Sequence, residues 1–324
     1  MKAIQFTEYG TPEVMNAVEL PVPEPGSREV LIKVHAAGVN YADTARREGQ
    51  YVVPTPLPFV PGAEIAGVIE KIGSGVTSVK EGMRAACLIE SGGYAEYALA
   101  DERSIIPLPE GLTYIQAASL PLQGLSAYHI LKTMGRLEKG ESVLVHAAAG
   151  GVGTIAVQLA RLFGAGTVIA TASTRDKLEL AGDLGADVLI NYTEDGWEQK
   201  VLEATGGKGV DVALEMAGGR IFYETLKCLA PFGRLIIYGV ASGVQSKFHP
   251  SSLMAKNQSV TGFFLPQIMR KPELLKASLS ELFNLFGEGS LKLPEGQSFP
   301  LEEAGKAHSL LQERKTKGKL ILVP

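Results

Sequence analysis

Two cysteines, Cys87 and Cys228, are all that the 324 residues contain. Two thiols supply neither a disulfide framework nor a four-thiolate zinc site, and they fit a reducing compartment. A strong charge of one sign is also missing. Against 35 Asp and Glu stand 31 Lys and Arg, a formal net charge of −4, so the chain as a whole is no electrostatic match for nucleic acid or anionic lipid. There is no long apolar run. The least charged stretch, Val143 to Ser173, is interrupted by Arg161 and by several glycines, which argues against a membrane span. The opening residues Met1 to Glu8 lack the apolar core of a signal peptide, and a cytoplasmic protein is the expectation. Fixed-period repeats and low-complexity tracts are absent too.

What is present is the material of a globular protein. Hydrophobic residues make up 45% and charged residues 20%, enough apolar surface to build real cores and to exclude disorder as the main state. The length suits about two domains, and 37 glycines with 18 prolines foretell many tight turns.

The first third carries short β-type runs, Val30–Val34, Ile65–Ile69 and Tyr94–Ala98, separated by Pro- and Gly-rich segments; it reads as a compact β-rich domain. Near Leu120 the rhythm changes. Helical spacing over Ala117–Leu131 is followed by apolar strands alternating with helices. The strands are expected at Val143–Val145, Thr167–Thr171, Val188–Ile190, Val210–Leu214, Leu235–Tyr238 and, as a sixth, Val260–Phe263. Helices are expected at Gly153–Phe163, up to Leu184, and over Phe222–Leu229. That alternation is the sequence form of an α/β fold with a doubly wound parallel sheet. The pattern breaks around Pro266. A helix near Pro272–Phe286 and a last strand, Lys319–Val323, close the chain. The strand has no partner nearby in sequence and is expected to rejoin the first domain. The expected division is residues 1–121 with 266–324 for the β-rich domain, and residues 122–265 for an inserted nucleotide-binding domain.

Ala148-Ala149-Gly150-Gly151-Val152-Gly153 sits between an expected strand and an expected helix. It matches G-x-G-x-x-G with Ala148 at the first glycine. A helix N-terminus with free N–H groups suits a pyrophosphate; Gly150 lets the backbone approach the phosphates and Gly153 lets helix and strand pack closely. A tight turn without ligand is the plain alternative, and the surrounding strand–helix alternation weighs against it. An NAD site usually places an acid at the tip of the second strand. Here the tip reads Thr171-Ala172-Ser173-Thr174-Arg175-Asp176-Lys177. Asp176 has the spacing of a helix cap, and Ser173, Arg175 and Lys177 suit a 2′-phosphate, so NADPH is the expected cofactor. The alternative is that Arg175 and Lys177 are solvated helix residues.

Gly140-Glu141, Leu144, Ala148–Gly151, Gly153, Gln158 and Arg161 fall at the spacing of the quinone oxidoreductase/ζ-crystallin signature. Further blocks agree along nearly the whole chain: Gly38-Val39-Asn40, Asp43, Val60–Glu64, Gly92–Tyr97, Gln123–Ala127 and Thr316–Lys319. The sequence thus resembles the zinc-independent quinone oxidoreductases of the medium-chain dehydrogenase/reductase superfamily. The resemblance implies a GroES-like β-rich catalytic domain with an inserted Rossmann domain. It implies that Gly150, Gly151, Val152 and Gly153 hold the pyrophosphate, and that Ser173, Lys177 and Tyr192 hold the 2′-phosphate. Ser126, Tyr238, Gly239 and Val240 would lie near the nicotinamide, Phe263, Phe264 and Leu265 would line the same end, and Gly318 and Lys319 would reach back to the cofactor.

Zinc-dependent members of the superfamily need a ligand set around an open metal position. Their first ligand follows Gly-Val, where this chain has Asn40. Their second is the His of Gly-His-Glu, where this chain has Ala63. The Leu120–Gln123 region offers no third, so no metal is expected. Hydride delivery to an electron-poor quinone needs less activation than alcohol oxidation does. Asn40 can hydrogen-bond the acceptor oxygen, and Tyr51, placed by the resemblance in the active-site loop, can do the same or supply a proton; the plain alternatives are a turn residue after a strand for Asn40 and a surface loop aromatic for Tyr51. Arg46 and Arg47 read as a solvated helix face, with attraction of an anionic acceptor as the alternative. An NADPH-dependent enone or 2-alkenal C=C reductase is the competing enzymatic reading. A crystallin-like or RNA-binding protein is the non-enzymatic one, disfavoured by the charge balance and the intact cofactor motif. An apolar edge strand at Ser259–Phe263 predicts a homodimer.

Overall fold

The computed structural model describes residues 1–324 and divides into two compact units, Met1–Leu122 with Pro294–Pro324, and Gln123–Leu293. No helix is long and apolar enough to cross a membrane.

In the second unit the expected alternation is realised. Six strands form one parallel sheet in the order Val188–Asn191, Thr167–Ala172, Ser142–Val145, Val210–Glu215, Leu229–Ile237, Ser259–Gly262. Numbered by chain position this is 3-2-1-4-5-6, the doubly wound Rossmann order, whose direction of winding reverses between the first and fourth strands. Val143, Leu144, Val168, Ile169, Val212 and Leu214 are wholly buried. That is why these strands read as continuous apolar runs rather than alternating ones. Helices Gly151–Leu162, Arg175–Asp183, Trp197–Ala204 and Gly219–Lys227 make the crossovers.

The first unit is built on strand Glu29–Val39. Its last residues pair with Leu320–Val323, its first with Tyr97–Asp101, and its other edge pairs throughout with Glu64–Ile72. Two register shifts, at Leu31/Ile32 and Val34/Ala36, bend the central strand. Arg84–Leu88 and Ile105–Pro107 extend the sheet on one side, and Gln297–Pro300 on the other. The terminal strand therefore rejoins the first unit, as its lack of a near partner foretold.

Several local expectations shift. The β-run at Tyr94 becomes a strand only at Tyr97, because Tyr94 is buried and its backbone bonds into the Pro61–Gly62 turn and Ile4. The helix expected over Ala117–Leu131 is two helices, Tyr114–Ala117 and Pro121–His129, with a π-helical segment Ile130–Met134 after them. Pro121, without an N–H, starts the second helix and cannot continue the first. Leu229 opens a strand instead of closing the preceding helix. The division between units falls at Leu293/Pro294 instead of 265/266. Helix Pro272–Gly287 is the cause. His129 Nε2 meets Ser278 Oγ at 3.1 Å, and Tyr128 donates to Glu281 at 2.6 Å, so this helix packs with the Rossmann sheet's own unit.

Candidate functional site

The strand Ser142–Val145 ends in a turn held by Ala148 N to Thr171 O at 3.1 Å and Gly150 N to Ala147 O at 2.8 Å. Ala147 sits at φ 50°, a left-handed conformation costing an L-residue about 1 kcal/mol. Helix Gly151–Leu162 then begins at Gly150 with no side chain capping it. Its first N–H groups therefore face outward with the positive end of the helix dipole, the arrangement that takes a pyrophosphate.

The three glycines differ in what demands them. A Cβ on Gly153 would stand 2.2 Å from Ala147 O and 2.7 Å from Ala148 Cα, so packing of helix on strand alone requires that glycine. A Cβ on Gly151 would run into the Gln123 side-chain amide at 2.0 Å, and this places helix Pro121–His129, which carries Ser126, against the turn. Gln123 was not among the expected site residues; an amide in a helix carries no sequence signal of such contact. A Cβ on Gly150 would meet one protein atom within 4 Å, Ala147 O at 3.2 Å. Protein packing gives only a weak reason for Gly150, which is what a backbone open to a ligand looks like.

At the carboxyl edge of the same sheet, strand Thr167–Ala172 ends without an acid. Tyr192 N donates to Ala172 O at 3.2 Å, which brings Tyr192 beside Ser173; Lys177 lies in the first turns of helix Arg175–Asp183. Of the three residues expected at a 2′-phosphate, Ser173 and Tyr192 thus follow neighbouring strand ends and Lys177 lies in the first turn of the helix after one of them. The cap of that helix is Thr174, bonded to Asp176. Arg175 is spent on Glu179 at 2.8 Å along an exposed helix face. Along the edge, Tyr238 N donates to Glu215 O at 3.0 Å and Phe263 N to Ile237 O at 2.8 Å, so Tyr238–Val240 and Phe263–Leu265 emerge from adjacent strands. Glu215, nearly fully buried, has Oε1 bonded to Ala217 N and Gly218 N, and burial pushes its carboxyl above the usual range.

In the first unit, Asn40 caps helix Tyr41–Arg47, its N–H donating to Asp43 Oδ2 at 2.9 Å. Asn40 Oδ1 accepts from Lys319 Nζ at 2.7 Å, and Lys319 also donates to Glu64 Oε2 at 2.6 Å. Glu64 Oε1 takes Leu122 N at 2.7 Å. All three residues are buried. Lys319, expected at the cofactor, is thus bonded to Asn40; Gly318 at φ 61° turns the chain into it. Asp43 is the second hub. Burial raises its carboxyl to about 6, and Tyr94 Oη donates to it at 3.2 Å. Behind Tyr94 lie His308 and Arg47. Arg47 can only donate to His308 Nδ1, so the His308 proton sits on Nε2 and points to Tyr94. Burial and Arg47 push His308 down to about 3.

Arg47 is fully buried, bonding Gly10 O, Glu48 and Gln312 besides His308. The Arg46 guanidinium lies 4.2 Å from the Tyr51 ring centroid and 5.4 Å from that of Phe59. Neither arginine forms a solvated helix face as expected: one is a structural strut and the other a platform for Tyr51. Burial pushes the Tyr51 hydroxyl above its ordinary value.

No three His, Cys, Asp or Glu side chains come together in a way that could hold a metal ion. Where zinc-dependent members of the superfamily carry ligands this chain has Asn40 and Ala63, and the Lys319 ammonium already lies between Asn40 and Glu64. A buried cation there repels a second one, so these residues do not fit a catalytic zinc.

A β-rich unit interrupted by a Rossmann sheet with a glycine turn is the construction of medium-chain dehydrogenases and reductases. The "Alcohol dehydrogenase GroES-like domain" profile matches residues 26–110 and "Zinc-binding dehydrogenase" matches 151–280. The chain belongs to the quinone oxidoreductase family of that superfamily. It is 38% identical to the quinone oxidoreductase of Pseudomonas aeruginosa, over 100% of this chain and 99% of that one. With the Rattus norvegicus quinone oxidoreductase it shares 37% identity, over 100% and 98%. The solved structure of Escherichia coli quinone oxidoreductase complexed with NADPH superposes with a TM-score of 0.95 at 34% identity, covering 100% of both chains.

Proposed function

We propose that this chain is an NADPH-dependent quinone oxidoreductase that works without zinc. The observation that carries the reading is the carboxyl edge of its parallel sheet. There an uncapped helix start meets a second strand with no acid at its tip, with Ser173 and Tyr192 after neighbouring strand ends and Lys177 in the first turn of the helix that follows. The relatives named quinone oxidoreductase, one of them complexed with NADPH, support it.

Bound NADPH would supply the hydride. The residues of this chain have the remaining tasks. Gly150, Gly151, Val152 and Gly153 present N–H groups to the pyrophosphate, and Ser173, Lys177 and Tyr192 select the 2′-phosphate. Ser126, Tyr238–Val240 and Phe263–Leu265 shape the nicotinamide end. Asn40 donates an N–H to the acceptor oxygen as negative charge builds there, and Tyr51, held on Arg46, is the second donor.

Two assays test this. NADPH oxidation should proceed with a quinone panel, faster than with an enone panel, and at an unchanged rate after exhaustive chelation. A rate that falls with chelation and returns with zinc sinks the zinc-free reading, and turnover confined to enones moves the substrate class. The Lys177→Ala variant should lose NADPH affinity at least tenfold while NADH affinity changes less than twofold, since one contact charge pair near a surface is worth about 1–4 kcal/mol. Equal losses would remove Lys177 from the 2′-phosphate.

The same proposal takes the protein as a homodimer. Strand Ser259–Gly262 ends the sheet with one edge paired and its residues only partly buried, and a second copy would satisfy the other edge. Light scattering should give about twice the chain mass of 34.4 kDa; a monomer at micromolar concentration would end that part of the reading.

A further inference from the structure

The Lys319–Glu64 ion pair is a poor investment in stability. Taking two charges out of water offsets much of their attraction, and apolar replacements of such pairs are often neutral or better. Yet the local chain is shaped around it. A Cβ on Gly38 would stand 2.7 Å from Lys319 Cε, 2.7 Å from Glu64 Oε2 and 2.6 Å from Ala118 O, so this stretch of strand Glu29–Val39 has to be bare for the pair to fit. The remaining neighbour of the ammonium is Asn40, the residue to which the proposed function assigns the acceptor oxygen.

We propose that Lys319 is a positioning residue that acts through Asn40, fixing which end of the amide the acceptor meets. An ammonium has donors only, so the Asn40 atom 2.7 Å from Nζ is the oxygen. The amide cannot turn over without setting its NH2 group against the ammonium. One N–H of that group goes to Gly38 O at 3.1 Å; the second is the donor for the developing oxyanion. The backbone N–H of Asn40 is held by the Asp43 carboxylate. The Asp43 N–H of the same capping box also meets the Asn40 side-chain oxygen, so Lys319 and Asp43 together hold the amide, which is how a single donor is kept in place before the reaction. Glu64 has the supporting part: it balances the ammonium and, through Leu122 N, anchors it to the chain. The buried charge thus orients a hydrogen bond and does not itself bind the substrate.

This inference deepens the quinone reductase reading and rests on it, so its test needs a readout that survives if that reading fails. Lys319→Met alone would leave Glu64 charged and unpaired in the interior. The variant of choice is Lys319→Met with Glu64→Gln, which removes both charges and keeps an acceptor for Leu122 N. Its NADPH affinity should stay within about twofold of the parent, and its kcat and kcat/KM should both fall about 10- to 100-fold, the signature of an interaction made in the transition state. Asn40→Ala should cost a similar factor, and adding it to the double variant should cost little more, because the residues act as one unit. The independent readout is the side-chain amide resonance of Asn40, identified by its loss in Asn40→Ala. In the double variant it should move toward the position of a mobile amide. A parent-like kcat in the folded double variant, or losses that multiply with Asn40→Ala, overturns the proposal; so does an unmoved Asn40 resonance. A parent protein with no quinone turnover whose Asn40 resonance still moves upholds the positioning role and overturns the functional reading.

Discussion

Gly153→Val should unfold the Rossmann unit, whereas Gly150→Val should leave it folded and unable to hold a dinucleotide. The contrast follows from what surrounds each glycine. At Gly153 the first added carbon meets main-chain atoms of Ala147 and Ala148 at 2.2 and 2.7 Å. Main chain cannot rotate away as a side chain does, and overpacking of this kind costs about 3 kcal/mol or more. At Gly150 a single oxygen lies at 3.2 Å, and the backbone angles, φ −79° and ψ 173°, suit any residue. Valine there stands in front of the N–H groups that would meet the phosphates, and NADPH affinity should drop at least about 100-fold, the equivalent of ~2.7 kcal/mol. Thermal unfolding followed by the single tryptophan, Trp197, which is buried in this unit, separates the two variants. Unaltered NADPH binding by a folded Gly150→Val protein would remove the pyrophosphate from this turn. A Gly153→Val protein of parental stability would mean that helix and strand are less tightly seated than the geometry states.

Acid should unfold the two units unequally. His146 is buried between Thr171 and Thr225 hydroxyls with Trp197 edge-on, and burial lowers it from 6.5 to about 3. Its folded-state pKa is depressed, so between pH 3 and 6.5 the unfolded chain binds the extra proton. The stability of the Rossmann unit is complete above pH 6.5 and is lost as pH falls. At pH 5 His146 alone accounts for about 2 kcal/mol, and His129, lowered to about 4, adds to the loss. Glu215 shifts the opposite way and opposes part of it. In the first unit His308, at about 3, subtracts a similar ~2 kcal/mol at pH 5, and the partly buried His35, also lowered by burial, adds a smaller loss. Asp43, however, is raised to about 6; the folded state holds the extra proton there and regains about 1.4 kcal/mol by pH 5. The Rossmann unit should therefore lose more stability between pH 7 and pH 5 than the β-rich unit does. Trp197 fluorescence, compared with far-UV dichroism during urea unfolding at the two pH values, measures it. A Trp197 midpoint that does not fall at pH 5 would show that His146 takes up its proton without unfolding.

The sequence determined most of what depends on near neighbours. Six apolar strands alternating with helices could satisfy their faces only between two helical layers, and so a parallel sheet was legible. The glycine turn was legible because three of its requirements lie within four residues. The absence of an acid after Thr167–Ala172 was equally local. Boundaries were less so: the break at Pro121 outweighed a helical periodicity that ran through it, and helix Pro272–Gly287 was claimed by contacts of His129 and Tyr128 that no spacing announces.

Tertiary structure alone decided the first unit's polar centre. Lys319 is separated from Asn40 by 279 positions and from Glu64 by 255, and His308 reaches Arg47 across 261. Hydrogen bonds of that span leave no period, cap or turn signature, because the last strand against Glu29–Val39 and helix Ala304–Gln312 bring the partners together from the far end of the chain. Arg47 reads as a surface residue in the sequence and is wholly buried in the fold for the same reason: a buried charge is tolerated where distant groups arrive to satisfy it.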